Sequence, residues 1–309
     1  MRDLIIGGSG FIGRNLVRRL ESEGHEAVVV DRNPDATGHF TGRFIAADAQ
    51  DAAGLLEIIA DVAPDTIYHL AANSDISAGV ADASLDFGDT LMTTIALQQA
   101  LLRSPVERVV FASSSAIFGI SEHALAESSQ APAAPVSWYG KAKLASEFVL
   151  EALSRDQPET RILIVRFPNV VGPLATHGVV FDFINRLIAN PSRLDVLGDG
   201  NQTKPYVHVS ELIDGIQFFL ERIEPGVKRI NVGPPDQVDV KGIAVEVTAA
   251  ISIRPEITYQ DSPFGWPGDV PRYAFDTSRM REEGFAIETT SRQAVRRAAD
   301  DLYRERTAE

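Results

Sequence analysis

Residues 7–13 read GGSGFIG and stand between a short apolar run, "DLIIGG" (Asp3–Gly8), and a segment with Ile12, Leu16 and Leu20 at helical spacing. A tight strand-to-helix turn needs Gly7, close approach of a phosphate needs Gly10, and close packing of helix on strand needs Gly13. The first N–H groups of the helix that follows lack partners within it and are free for an anion. A second apolar run, "EAVVVD" (Glu26–Asp31), ends in an acid placed to accept hydrogen bonds from an adenosine ribose. The stretch predicts a βαβ unit that holds a dinucleotide against Gly7, Gly10, Phe11, Ile12, Gly13 and Asp31. Asp31 repels a 2′-phosphate, so NAD is predicted over NADP, and the adjacent Arg32 leaves NADP as the alternative.

The same rhythm continues. Apolar runs at Arg43–Asp48, Thr66–Ala72, Arg108–Ser113 and Arg161–Phe167 alternate with helical patterns at Ala52–Val62, Asp86–Arg103 and Tyr139–Ser154. This alternation predicts an α/β fold, a Rossmann-type doubly wound parallel sheet with helices on both faces. Beyond Arg166 the strands shorten and Gly, Pro and Asn become frequent; helical patterns remain at Phe181–Ala189 and Ser210–Arg222, with a strand at Arg229–Gly233. The expected division is a dinucleotide-binding domain over residues 1–168 and a smaller, interleaved, mainly substrate-binding lobe over 169–309, with 206–232 returning to the first sheet.

The 309-residue chain carries a formal net charge of -14, which repels phosphate backbones and argues against a nucleic-acid partner. Its lack of cysteine excludes disulfides and thiolate chemistry and fits a cytoplasmic setting. The six histidines show no metal-ligand spacing, so no metal is expected. No apolar stretch approaches membrane-spanning length and no signal peptide is expected at Met1.

In "SWYGKAKLAS" (Ser137–Ser146), Tyr139 and Lys143 are four apart and share a helix face, whereas Lys141 points away. A tyrosine acting as a base near neutral pH must lose about 3 pKa units, roughly 4 kcal/mol of phenolate stabilisation. A neighbouring ammonium supplies part of this, and a positive nicotinamide ring supplies more. "SSSAIFG" (113–119) sets hydroxyls at the C-terminal end of a strand, where ligands of open α/β sheets bind.

GGSGFIG, HLAA (69–72), SSSAIFG, YGKAK (139–143), RFPNVVGP (166–173) and GDGNQTKPYVHV (198–209) occur in an order that resembles the extended short-chain dehydrogenase/reductases, the NAD-dependent epimerase/dehydratase group. The resemblance implies a catalytic Ser114, Tyr139 and Lys143, with Ser113 and Ser115 as the other candidates for the serine. It implies cofactor contacts from Asp48 and Ala49 near the adenine, from Leu70, Ala71 and Ala72, and from Phe167, Tyr139 and Lys143. It implies contacts to a nucleotide-diphosphate sugar from Ser114, Asn169, His177, Lys204, Tyr206, Asp269 and Arg272, a surface ion pair being the other reading of Arg272.

Departures from the family pattern narrow the reaction. Phe118 replaces a tyrosine, Lys204 an arginine, and Trp266 a phosphate-binding arginine. The dehydrating relatives read TDEVYG where this chain has Ser115 and Ala116, the decarboxylating ones want glutamate there, and the fucose-synthase-like ones want a cysteine. What remains is 4-epimerisation of a nucleotide sugar, a UDP-sugar first, by transient oxidation to a 4-keto sugar. The alternatives are a one-way dehydrogenase or ketoreductase, or a 4,6-dehydratase; retention of both Tyr139 and Lys143 weighs against a non-enzymatic dinucleotide-binding protein. The stripe Phe87, Leu91 and Ile95, with the helix at Tyr139, suits the family's homodimeric four-helix bundle. His208, alternating with apolar residues, is expected to be structural, and Asp300–Glu309 to be solvated surface.

Overall fold

Continuous apolar runs become strands covered on both faces, and the segments between them become helices. The computed structural model describes residues 1–33, 40–120, 124–127, 135–265 and 270–308. In chain order the first elements are β1 (Arg2–Ile6), α1 (Phe11–Ser22), β2 (Glu26–Asp31), β3 (Arg43–Ala46), α2 (Ala52–Val62), β4 (Thr66–His69), α3 (Ile76–Ala81), α4 (Ala83–Asp86), a π-helical turn (Phe87–Met92) and α5 (Thr93–Leu101). Then come β5 (Arg108–Ala112), α6 (Trp138–Asp156), β6 (Arg161–Arg166), β7 (Asn169–Val171), α7 (Val179–Ala189), β8 (Arg193–Val196), β9 (Thr203–Lys204), β10 (Tyr206–His208) and α8 (Val209–Leu220). The chain continues through β11 (Gly226–Asn231), β12 (Val238–Asp239), α9 (Val240–Ala250), β13 (Glu256–Tyr259), α10 (Ser278–Glu282) and α11 (Ser291–Thr307).

The chain divides into two compact units, Met1–Gly119 with Ala131–Arg166 and Ile216–Ile230, and Ile120–Gln130 with Phe167–Gly215 and Asn231–Glu309. The first unit is built on a seven-stranded sheet ordered β11-β6-β5-β4-β1-β2-β3. Neighbouring strands from β3 to β6 are parallel, with Ile6 in register with Val30 on one side and His69 on the other. Strand order reverses between β1 and β4, and the crevice past the carboxyl ends of such a pair is where an open α/β sheet binds its ligand. Leu4, Ile6, Val28, Val30, Ile67, Val109 and Phe111 form the core of this unit with Leu97, Leu101 and Leu150 from the helices.

In the second unit, short strands pair as β7 with β10, β9 with β12 and β8 with β13. Its core gathers Phe183, Leu187, Ile243, Val247, Val295 and Leu302. The C-terminal stretch expected to be solvated surface forms the last turns of α11; of its described residues Leu302 alone is buried, and the helix as a whole buries Ala294, Val295, Ala298, Ala299 and Leu302 at helical spacing. Thr290 and Gln293 close a capping box at its start. His208 is 2% exposed and bonded to Ser210 and Asp301, as a structural histidine should be.

Candidate active site

The glycine loop begins where β1 ends. Gly7 has φ +85, and a Cβ there would lie 2.5 Å from the Ala71 nitrogen. The HLAA segment that leaves β4, with Leu70, Ala71 and Ala72 half-buried, therefore runs past the loop at a distance that admits only glycine. A Cβ on Gly13 would lie 2.7 Å from the Gly7 carbonyl oxygen, so the helix can seat on the strand turn only without one. Gly10 is the N-cap of α1, with no side-chain cap and no acid in the first turn, and Phe11 and Ile12 follow half-buried. The Ser9 hydroxyl is buried without a partner. Asp31 accepts hydrogen bonds from the N–H groups of Ser9 and Asn33, both at 3.0 Å. Those two bonds leave acceptor capacity on the carboxylate. An uncapped helix start, a glycine backbone, an orphan hydroxyl and an acid at the tip of β2 fit the pyrophosphate and ribose of a dinucleotide. Asp48 is exposed beside the half-buried Ala49 and accepts from the Gln50 N–H at 2.9 Å.

Tyr139 sits in the first turn of α6. Ser137 caps that turn by accepting from the Gly140 N–H at 3.1 Å. The Tyr139 N–H faces the carboxylate of Asp86, which is wholly buried and accepts from Asn73 Nδ2 at 2.9 Å. Burial raises the pKa of Asp86, and the bonds from Asn73 and the Tyr139 N–H oppose that rise. Sequence reasoning missed Asp86; with Asp82, Asp89 and Thr90 at helical spacing around it, nothing local marks this acid as buried.

Lys143 lies one turn further on and is 1% exposed. Its Nζ donates to the Ala112 carbonyl at 2.6 Å and stands 4.8 Å from the Phe111 ring centroid and 5.8 Å from that of Tyr139. Burial lowers its pKa to about 7, against the pull of Glu147 one further turn along. Burial also pushes the Tyr139 phenol up to about 12; a hydrogen bond from Ser114 lowers it and the charge of Asp86 raises it. In the chain alone, then, the phenol moves away from neutrality, because desolvation outweighs the help it receives.

The three serines after β5 have different partners. Ser113 donates to Glu147 Oε1 at 2.5 Å, inside the core. Ser114 accepts from the Ala116 N–H at 3.1 Å and bonds the Tyr139 phenol. Ser115 opens a single 3-10 turn, Ser115–Ile117. Alternation along the extended chain separates Ser113 from Ser114 and leaves Ser114 as the hydroxyl at the phenol. Glu147 ties these pieces together. It is 1% exposed, receives Arg166 Nε at 3.0 Å and Nη2 at 2.7 Å, and receives Arg229 Nε at 3.3 Å. Phe118, which stands where a tyrosine was expected, turns its ring to the Arg166 guanidinium, 5.1 Å away.

The lysine gives this site a measurable pH signature. Its folded-state value of about 7 lies below the ordinary 10.5. Between those values the unfolded chain holds the extra proton, so stability rises with pH across pH 7–10.5, by up to about 1.4 kcal/mol per pH unit. Denaturant melts of the cofactor-free protein are expected to show that rise, and Lys143→Met is expected to remove it.

In the second unit, β7–β10 pairing sets Asn169 opposite Tyr206. Asn169 Nδ2 donates to the Pro205 carbonyl at 3.4 Å and the Tyr273 hydroxyl at 3.3 Å. Lys204 ends β9 opposite Val238, and its neighbour Thr203 bridges to the exposed Arg272. Tyr206 is 6% exposed and packs in that unit's core, with its N–H bonded to Ser291 Oγ at 3.1 Å. His177 is exposed on the loop before α7 and bonded to Thr176, and Phe167 follows β6 half-buried. Asp269 and Trp266 lie outside the described residues. Among the described residues there is no group of three or more His, Cys, Asp or Glu able to hold a metal ion.

The sequence profile of the NAD-dependent epimerase/dehydratase family matches residues 4–233. The UDP-glucose 4-epimerase of Mycolicibacterium smegmatis is 29% identical over 298 residues, covering 91% of this chain and 92% of that protein. A crystal structure of a UDP-galactose 4-epimerase matches with a TM-score of 0.85 at 30% identity, covering 99% of each chain. The UDP-glucose 4-epimerase of Thermus thermophilus, solved as a complex with NAD, matches with a TM-score of 0.87 at 27% identity over 98% of this chain and 99% of that one. With the glycine loop, the acid at β2 and the Ser–Tyr–Lys constellation in place, the chain belongs to the NAD-dependent epimerase/dehydratase family, and NAD is its cofactor.

Proposed function

We propose that this protein interconverts the C4 epimers of a nucleotide-diphosphate sugar, a UDP-sugar in the first place. The observation that carries this reading is the Tyr139 phenol, hydrogen-bonded to Ser114 and one helical turn from Lys143, in the unit that holds the glycine loop. Bound NAD supplies the transient oxidation at C4 and its reversal. Tyr139 Oη takes the proton of the 4-hydroxyl as the carbon is oxidised and returns it when the ketone is reduced on its other face. Ser114 Oγ donates to the reacting oxygen and keeps it against the phenol. Lys143 holds positive charge near the phenolate, which favours the deprotonated form.

Gly7, Gly10, Phe11, Ile12, Gly13, Asp31, Arg32, Asp48, Ala49, Leu70, Ala71, Ala72 and Phe167 are assigned to the cofactor. Asn169, His177, Lys204, Arg272 and Asp269 are assigned to the sugar nucleotide, and Tyr206 supports Asn169 from the paired strand. The first unit is thus the NAD-binding part and the second mainly the sugar-binding part. Relatives named as UDP-glucose 4-epimerases favour a uridine nucleotide. Incubation with UDP-, dTDP-, CDP- and GDP-sugars in deuterium oxide, read by mass spectrometry, tests the reaction. An epimer of unchanged mass without carbon-bound deuterium supports it. A product lighter by one water marks a dehydratase, and accumulating reduced cofactor marks a one-way dehydrogenase.

A homodimer is proposed on the apolar face of the same unit. Leu85, Phe87, Met92, Trp138 and Phe148 are 39%, 37%, 45%, 41% and 61% exposed on α4, the π turn and α6, which pack side by side. Phe87 and Trp138 meet with ring centroids 5.8 Å apart. A monomer rarely leaves such a patch in water. Light scattering is expected to give a dimer for the parent and a monomer for Phe148→Glu; a monomeric parent would refute the assignment. Among the described residues no helix is long and apolar enough to cross a membrane, and the absence of cysteine suits the cytoplasm, where we place the protein.

A further inference from the structure

Arg32 follows Asp31 directly, at the end of β2, and its guanidinium is already engaged. Nη1 donates to Asp89 Oδ1 at 3.0 Å and Nη2 to Asp89 Oδ2 at 2.6 Å. Gln50 Nε2 adds a bond to Asp89 Oδ1 at 3.3 Å. The pair links the tip of β2 to the π-helical turn, and Gln50 reaches it from the loop that carries Asp48 and Ala49. The arginine side chain is 53% exposed and the aspartate 20%. Two parallel bonds fix the plane of a guanidinium as well as its distance, and the same fork is what recognises a phosphate. The charges of Asp48 and Asp31 also act on this guanidinium. The cation next to the ribose acid is therefore filled by a carboxylate.

We propose that Asp89 is a specificity-determining residue for the cofactor: by occupying the fork of Arg32 it withholds that cation from the 2′-phosphate of NADP and keeps the site selective for NAD. This rests on the assignment of Asp31 to the adenosine ribose. With the fork filled, a 2′-phosphate meets the Asp31 carboxylate beside a guanidinium already engaged by Asp89. The π turn matters because it is the part of the helix from which Asp89 spans to Arg32; neither residue is near the other in sequence.

The test is calorimetric titration of the full chain, freed of retained nucleotide, with NAD and with NADP. Asp89→Ala is expected to shift the affinity ratio toward NADP by about tenfold to a hundredfold, the value of a charge-assisted bond to phosphate. Asp89→Asn, which keeps the side chain's size, is expected to shift it the same way. Adding Arg32→Ala to either variant should cancel the gain. An unchanged ratio in both Asp89 variants overturns the proposal. So does a gain that survives loss of Arg32, since removal of negative charge alone would then explain it. Asp31→Ala separates the two layers: if NAD affinity is unaffected by it, the ribose assignment fails and the proposal falls with it, whereas a weakened NAD affinity beside an unchanged ratio in the Asp89 variants rejects the role of Asp89 alone.

Discussion

Tyr139→Phe is expected to lower turnover by about 10²–10⁴-fold while leaving dinucleotide affinity near that of the parent. The substitution removes one hydroxyl and keeps the ring, so the first turn of α6 retains its Ser137 cap and its seat on Asp86. What is lost is the group to which the proposed mechanism gives the proton. The size of the effect follows from how far the phenol must be brought. Alone in the chain it is pushed up to about 12. Bringing it to neutrality takes about 5 pH units, on the order of 7 kcal/mol. Ser114 already contributes, Lys143 stands 5.8 Å from the ring, and the oxidised cofactor brings a further positive charge. Retention of most of the activity in Tyr139→Phe, measured under saturating sugar nucleotide, would show that another group carries the proton.

Glu147→Ala is expected to cost about 3–5 kcal/mol, because it removes the carboxylate paired with a buried guanidinium. Arg166 and Glu147 have side-chain exposures of 8% and 2%, so water cannot replace the lost carboxylate. For a chain of this size that is a fall in melting temperature on the order of 10 °C. The consequences reach the site, since the same carboxylate accepts from Ser113, next to Ser114, and opposes the depression of the Lys143 pKa. Glu147→Gln keeps the shape and removes the charge. It is expected to lower the lysine's pKa below its present value of about 7 and to move the pH–rate profile, beyond any loss of stability. A melting temperature within about 1 °C of the parent for Glu147→Ala would contradict the account of this pair.

The parts of the site that could be read from the sequence were those set by local chain geometry. Gly7, Gly10 and Gly13 announce a strand-turn-helix because the loop has no room for a Cβ, and Tyr139 and Lys143 announce a shared face because four residues make about one helical turn. The parallel sheet was legible for the same reason, as apolar runs without alternation. The resemblance put Ser114 ahead of Ser113 and Ser115, but the partners of these serines needed the fold, which sends Ser113 to Glu147 and Ser114 to the phenol. Asp89 could not have been found, because its partner lies 57 residues away and the π turn shifts the helix out of the 3.6-residue phase on which helical faces are read. Tyr206, read as a contact to substrate, packs in a core whose members come from β7, α7, β8, β10, β12, α9 and α11. Helix α11 escaped notice because its polar surface outnumbers a narrow stripe of alanines, and small residues carry little hydrophobic signal.

Phenolate absorbance, followed against pH and taken as the difference between the parent and Tyr139→Phe, isolates this one phenol among the six tyrosines. In the cofactor-free chain the difference is predicted to stay flat past pH 10, in line with a value near 12. With NAD bound, it is predicted to titrate at least about 3 pH units lower. A difference spectrum that ignores NAD, remaining flat to the same alkaline limit, would contradict Tyr139 as the base.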